Sequence, residues 1–244
     1  MDSTRAIVLS RDLYSEADLY IQFLTRDWGV LTLLAKSARK SRRRYAGGLD
    51  LFCHNEIFVR GLPARPYLSE LTVLNAFTGL RDNLDRVELA GKAVQWVRRL
   101  CPISTPLPVV YRLLGQTLAL TEKEGDRARL ELLGLIFKLK LLSEIGLKPR
   151  MDSCVGCGDT DTTEGPFDME SGGLLCRPCA IQGRGHGMGE RLYLSREDRG
   201  LLTIADRFRF TAWSEIHFPD ERSQELNRLV TRFASYHTHE RLPV

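Results

Sequence analysis

The chain has no uninterrupted apolar run of membrane-spanning length. Its most apolar stretch, 130–147, is broken by Lys138, Lys140 and Glu144, whereas a spanning helix needs about 20 predominantly apolar residues. The opening MDSTRAIVLSRDLY lacks the cationic segment and long apolar stretch of a secretory leader, so a cytoplasmic protein without membrane partners is expected. Phosphate-loop and hydrolytic signatures are missing as well. There is no G-x-x-x-x-G-K-[ST], G-x-S-x-G or H-E-x-x-H, and the glycine-containing segment 183–189 is not followed by a lysine–hydroxyl pair. Histidine is sparse: His54, His186, His217, His237 and His239 show no metal-binding spacing among themselves. The acidic pairs Asp126/Glu131 and Glu197/Asp198 read as helix-surface or first-turn charges. Nothing here points to an enzyme, and a non-catalytic protein is expected.

Negative charge is absent from one dense segment. Residues 36–44 (KSARKSRRR) hold six cations, Lys36, Arg39, Lys40, Arg42, Arg43 and Arg44, in a chain of formal charge only +4, so the remaining residues sum to −2. Such a run cannot enter a core without partners, because each buried cation would carry a large desolvation cost. It is therefore read as a solvated loop facing a polyanion, with nucleic acid the natural candidate. The aromatics Trp28, Tyr45, Tyr14, Tyr20, Phe23, Phe52 and Phe58 are interleaved with the basic residues of this region. A base stacked on an exposed ring gains about 1–3 kcal/mol. Tyr45, beside Arg44, and Trp28, in a turn, are the two expected to be exposed.

The first eighty residues contain five segments rich in β-branched, apolar and aromatic residues, 6–10, 19–25, 30–36, 52–60 and 67–76, separated by turn signals. Five short strands without an intervening helix predict a small barrel, OB-like or SH3-like by the count alone. From Asp82 the apolar period becomes helical. Helices are expected over 82–100, with Asn83 or Asp82 as N-cap, over about 109–120, and over 127–145, the last ending at Gly146 as the C′ residue. That third helix has apolar residues on nearly every side and is expected to be central. Two amphipathic helices follow, one capped by Ser195 and running to about Arg207, the other over about 221–236. The predicted class is thus α+β multidomain: a barrel over 1–80, a helical bundle over 81–150, and a cysteine module with helices over 151–244. The last of these is net acidic, and the first two are net basic.

Four of the six cysteines form C-x2-C-x18-C-x2-C: Cys154, Cys157, Cys176 and Cys179. Two such turns supply tetrahedral sulfur coordination, so structural Zn2+ is the expected cofactor. Four thiolates close the shell and leave no position for water, which separates this site from catalytic zinc. With Asp159, Asp161, Glu164, Asp168 and Glu170 between the pairs, the module is a poor phosphate grip. It suits local structure or a protein partner instead. Cys53 and Cys101 are expected as buried free thiols.

Taken in order, these features resemble one family, the bacterial RecO recombination mediators. The resemblance rests on Tyr14-Ser-Glu16-Ala-Asp18 with Phe23-Leu-Thr25 and Gly29. It continues through Ala35-Lys36-Ser-Ala-Arg39-Lys40-Ser-Arg42 with Leu49-Asp-Leu-Phe52, and Leu141-Leu-Ser-Glu144-Ile-Gly146-Leu-Lys-Pro149 before the cysteines. It implies an N-terminal OB fold, a helical middle and a zinc-binding C-terminal part. It also implies binding to single- and double-stranded DNA, strand annealing, and action with RecR and single-stranded DNA-binding protein to load RecA. The acidic, apolar-ended tail of single-stranded DNA-binding protein would suit a helical groove bordered by arginines, with Arg98, Arg99, Arg112, Arg127 and Arg129 as candidates. Ser37 stands where the family often has glycine, and the C-terminus lacks a basic ending. An RNA-binding protein with an OB fold and zinc ribbon, and a nucleic-acid enzyme with a scattered acidic metal site, remain alternatives on the residues alone.

Overall fold

A computed structural model describes residues 2–41, 43–62, 64–184, 192–207, 210–216 and 219–244. The chain divides into two compact units, Met1–Asp126 and Arg127–Val244. Arg42, His186, His217 and 185–189 lie outside the described residues.

In the first unit β1 (Asp2–Leu13), β2 (Leu19–Thr25), β3 (Gly29–Ala35), β4 (His54–Arg60) and β5 (Tyr67–Asn75) form a closed barrel in the order β1-β2-β3-β5-β4. Every pairing is antiparallel except β3 with β5, which is parallel through Leu34↔Tyr67 and Ala35↔Leu68. That parallel closure is the OB-type arrangement and decides between the two five-stranded barrels open at the sequence level. Inward side chains alternate as a pleated strand requires: Leu19, Ile21 and Phe23 of β2, Leu33 and Ala35 of β3, and Ile57 and Val59 of β4 meet in one core.

β1 breaks the alternation, with Ala6 through Ser10 all buried. A register shift between Val8 and Ser10 bends this strand between its two partners. Ala6 and Val8 join the barrel core. The outward side of β1 is covered by α1 (Leu84–Leu100) and α2 (Pro108–Thr121), both packed on it; a Cβ on Gly115 of α2 would lie 3.6 Å from the Ile7 side chain. Burial on both faces is what makes this run continuously apolar. Asn83 caps α1, its side-chain oxygen accepting from the amides of Asp85 at 2.8 Å and Arg86 at 3.2 Å. Cys53 and Cys101 are buried free thiols, and burial pushes the Cys101 thiol up to about 12.

The helical segment 81–150 is shared between the units. Its third member, α3 (Arg127–Glu144), belongs to the second unit and packs against α5 (Arg196–Arg207) and α6 (Asp220–Thr238). Leu130, Leu133, Ile136, Phe137 and Leu141 are among its buried side chains, in keeping with a central helix. Gly146, at φ 79°, ends it, and the Leu147 amide reaches back to Leu142 O at 2.8 Å, a left-handed C-terminal closure. Between α3 and α5 lie the strands β6 (Gly165–Asp168), β7 (Gly173–Leu174) and β8 (Tyr193–Leu194), in the order β7-β6-β8, and the single turn α4 (Arg177–Ile181).

Ser195 and Asp198 form a reciprocal cap at the start of α5: the Ser195 amide donates to Asp198 Oδ2 at 2.7 Å and the Asp198 amide to Ser195 Oγ at 3.2 Å. The Asp198 side chain is 1% exposed and is ion-paired to Arg222 of α6, whose Nε donates to Oδ1 at 2.7 Å. Burial alone would raise this carboxyl's pKa. The guanidinium and the Ser195 contacts outweigh burial and hold it below the usual carboxylate range. A depressed folded pKa contributes stability above the unfolded value of about 3.9 and loses it as pH falls toward the folded one. Asp198→Asn should therefore cost about 3 kcal/mol at neutral pH and reduce the loss of stability of the second unit below roughly pH 4. Urea unfolding followed across pH checks this, and an unchanged acid dependence in the variant would contradict it.

Candidate nucleic-acid surface and metal centre

Because β3 pairs with β5 and not with β4, the chain must cross from Ala35 to His54 outside the ladder. This crossover splits into two halves of opposite character. Its second half is apolar and turns inward: Tyr45, Leu49 and Cys53 are part of the barrel core. Its first half carries the cations and stays outside, with Lys36, Arg39, Lys40, Arg43 and Arg44 all exposed. Among the described residues none of these five cations is in a salt bridge.

The cationic half is held in place by its backbone. The Ser37 amide donates to Asp18 Oδ1 at 2.7 Å, the Arg39 amide to Ala17 O at 3.1 Å, and Arg39 Nη1 to Glu16 O at 3.0 Å. These bonds tie the loop to the β1–β2 connection. A local turn follows, with the Ser41 amide donating to Ser37 O at 2.9 Å. Arg44 Nη2 donates to Lys36 O at 2.8 Å, and its guanidinium lies over the Tyr45 ring at 5.2 Å. Ser37 takes φ 53°, so serine occupies here the left-handed conformation that glycine adopts more cheaply. Arg44 is thus partly structural, whereas Lys40 and Arg43 project freely.

The two aromatic expectations need correction. Tyr45 is 2% exposed, and its hydroxyl donates to Leu68 O at 3.2 Å. It plugs the barrel, because the strand-like run after Arg44 turns inward immediately, and so offers no face to a base. Trp28 is half-buried against the same core, with its amide bonded to Thr25 Oγ1 at 2.9 Å. The open rings of this region are Tyr14 and Tyr20, 56% and 38% exposed. Strand alternation signals Tyr20, since Leu19, Ile21 and Phe23 point inward. Of the arginines considered for a helical groove, Arg98, Arg99 and Arg112 lie in the first unit and Arg127 and Arg129 in the second. Arg129 is held by Ile216 O at 2.6 Å and lies over the Trp213 ring.

The four motif cysteines converge in the second unit. Cys154 and Cys157 sit on a turn closed by the Gly158 amide donating to Cys154 O at 2.8 Å. Cys176 is the N-cap of α4, and Cys179 lies within that helical turn. All four Sγ atoms fall within 4.8 Å of one another, and those of Cys157 and Cys176 are 3.7 Å apart. Four sulfurs at ~2.3 Å from one ion form a tetrahedron with edges of roughly 3.8 Å. The Gly156 and Cys176 amides approach Cys154 Sγ at 3.3 Å and 3.2 Å. A Cβ on Gly156 would come within 3.1 Å of Cys179 Cβ and Sγ, so glycine permits this approach. Burial works against a Cys154 thiolate, but the amides of Cys176, Gly156 and Cys157 prevail and lower its pKa to about 6. Burial and the neighbouring thiols push Cys179 up to about 12. A cation is what allows all four to ionise together, and the donor set fits a thiophilic divalent metal.

Two family models match the chain: recombination protein O N terminal over residues 1–78 and recombination protein O C terminal over 81–244. Similar proteins include the DNA repair protein RecO of Myxococcus xanthus (strain DK1622), 36% identical over 183 residues, covering 73% of this chain and 72% of that protein. The protein of that name from Pelobacter propionicus is 29% identical over 250 aligned residues, covering 99% and 93%. Another from Anaeromyxobacter sp. (strain Fw109-5) is 36% identical over 183 residues, covering 71% and 68%. Among the described residues no helix is long and apolar enough to cross a membrane.

The cysteine geometry makes a direct prediction. Cys154→Ser should lose about one equivalent of bound metal per chain and destabilise the second unit, because metal binding is coupled to folding. Elemental analysis with thermal unfolding tests this; equal metal content in variant and native protein would contradict it.

Proposed function

This chain belongs to the recombination protein O family, whose similar members are DNA repair proteins, and we propose that it serves DNA repair as a non-catalytic mediator that binds and anneals DNA. The observation that carries this reading is the row of exposed cations, free of salt bridges among the described residues, on the crossover of an OB-type barrel. Phosphates meeting Lys36, Arg39, Lys40, Arg42 and Arg43 release counterions, the sequence-independent source of affinity for single and double strands alike. Neutralising both strands at one surface lowers their mutual repulsion and lets complementary bases meet. In the full reading the protein acts with RecR, engages the acidic tail of single-stranded DNA-binding protein, and helps RecA onto the strand so exposed.

Zinc is the metal we assign to Cys154, Cys157, Cys176 and Cys179. Its tetrahedral preference and affinity for thiolate suit the four sulfurs, and a closed shell leaves it no solvent position for chemistry. The metal would then brace the second unit.

The test replaces three cations of the loop and leaves in place Arg39 and Arg44, whose side chains bond to backbone carbonyls. Lys40→Ala, Arg42→Ala and Arg43→Ala together should make the slope of log affinity against log salt shallower by about 2 on single-stranded DNA, at about 0.7 per lost contact. Annealing of naked complementary strands should fall in parallel, while the tail peptide of single-stranded DNA-binding protein still binds. An unchanged slope would place the DNA site elsewhere, and stronger binding to RNA than to DNA of the same sequence would favour an RNA-directed role.

A further inference from the structure

The outward face of the barrel beside the cationic loop carries tyrosines in a row. Tyr20 of β2 stands opposite Asp12 of β1 and Leu34 of β3, and Leu34 stands opposite Tyr67 of β5. Residues paired in register share a face, and the inward positions here are taken by Leu19, Ile21, Leu33, Ala35 and Leu68. Tyr20, Leu34 and Tyr67 therefore line the outer wall side by side on three adjoining strands. With strands about 4.8 Å apart, the two rings stand roughly 10 Å apart along the row. Tyr14 extends it at one end, edge-on to Tyr20 with ring centroids 4.6 Å apart. At the other end Lys36 Nζ lies 5.1 Å from the centre of the Tyr67 ring.

Tyr14 and Tyr20 leave large amphipathic rings open to solvent, each a surface on which a planar partner can stack. Charge places a base here and not a phosphate. Asp12, Glu16 and Asp18 flank Tyr14 and Tyr20 in sequence and in register, and would repel a phosphate. The cations that attract phosphate lie along the adjoining loop, itself bonded to the Tyr14–Asp18 connection through Asp18, Ala17 and Glu16. We propose that Tyr14 and Tyr20 form a stacking platform for the bases of a single strand whose phosphates follow loop 36–44, with the partly buried Tyr67, its ring beneath Lys36, bordering it. This rests on the nucleic-acid reading above and adds to it a base-dependent, sequence-tolerant component carried by π-faces. A duplex, whose bases are already stacked, cannot use such a platform.

Binding of the full chain to a 20-nucleotide oligothymidine and to an abasic oligonucleotide of equal length, at matched salt, tests it. Native protein should favour the base-bearing strand on the order of tenfold or more. The double variant Tyr14→Ala/Tyr20→Ala should bind both oligonucleotides alike, with abasic affinity and salt slope unchanged, and Tyr20→Phe should retain the preference. Equal affinity of native protein for the two strands, or an equal loss on both in the double variant, would overturn the platform while leaving the cationic loop standing. If native protein binds neither oligonucleotide, the nucleic-acid reading fails and the platform with it.

Discussion

Pairing of β3 with β5 is the constraint on which the first unit turns. It closes the barrel, and by separating β3 from β4 it forces the intervening chain to leave the sheet and return. Hydrophobic burial then sorts that crossover by residue type. Tyr45, Leu49 and Cys53 fill the end of the barrel, while cations that could not be desolvated remain outside. The Leu71 amide bonding to Arg44 O at 3.2 Å, and Asn55 Nδ2 bonding to Gly48 O at 2.8 Å, fix the boundary between the two halves. The loop thus keeps its described cations in solvent while its backbone is tied to the 14–18 connection.

The second unit obeys a different constraint. Its strands are short, with two of the three only two residues long, and a sheet of that size has little independent stability. Two devices support it. The cysteine turns are drawn together around one point, and the Asp198–Arg222 pair joins the start of α5 to α6 beneath a reciprocal cap. A metal held by the four cysteines would respond to pH in the same direction as the buried ion pair, since protonated thiols and a protonated carboxyl each release their partner. Acid should accordingly weaken this unit through two separate routes.

Much of this was legible in the residues. The five strands were readable because turn signals bracketed them, and the order of the barrel was not, because strand count carries no pairing information. The cysteine quartet was plain from spacing, and so was the cationic loop from charge. Tyr45 adjoins the exposed Arg44 in sequence yet turns into the core, whereas the pleat of β2 marks Tyr20 as outward. The α3 helix was recognised as central from its apolar circumference. Its grouping with α5 and α6 depends on contacts distant in sequence, such as Asn227 Nδ2 donating to Glu131 O at 2.9 Å, which no local pattern reports.

The central claim is that one half of the crossover meets nucleic acid while the other half holds the barrel. Amide hydrogen exchange of the full chain with and without single-stranded DNA tests it most directly. The account predicts new protection over 36–44 and the connection that anchors it, 14–18, with the hydrogen-bonded amides of Gly48, Phe52 and Cys53 already protected in the free protein and 154–179 unchanged. Protection confined to the cysteine segment or to α3, with 36–44 exchanging as before, would contradict it.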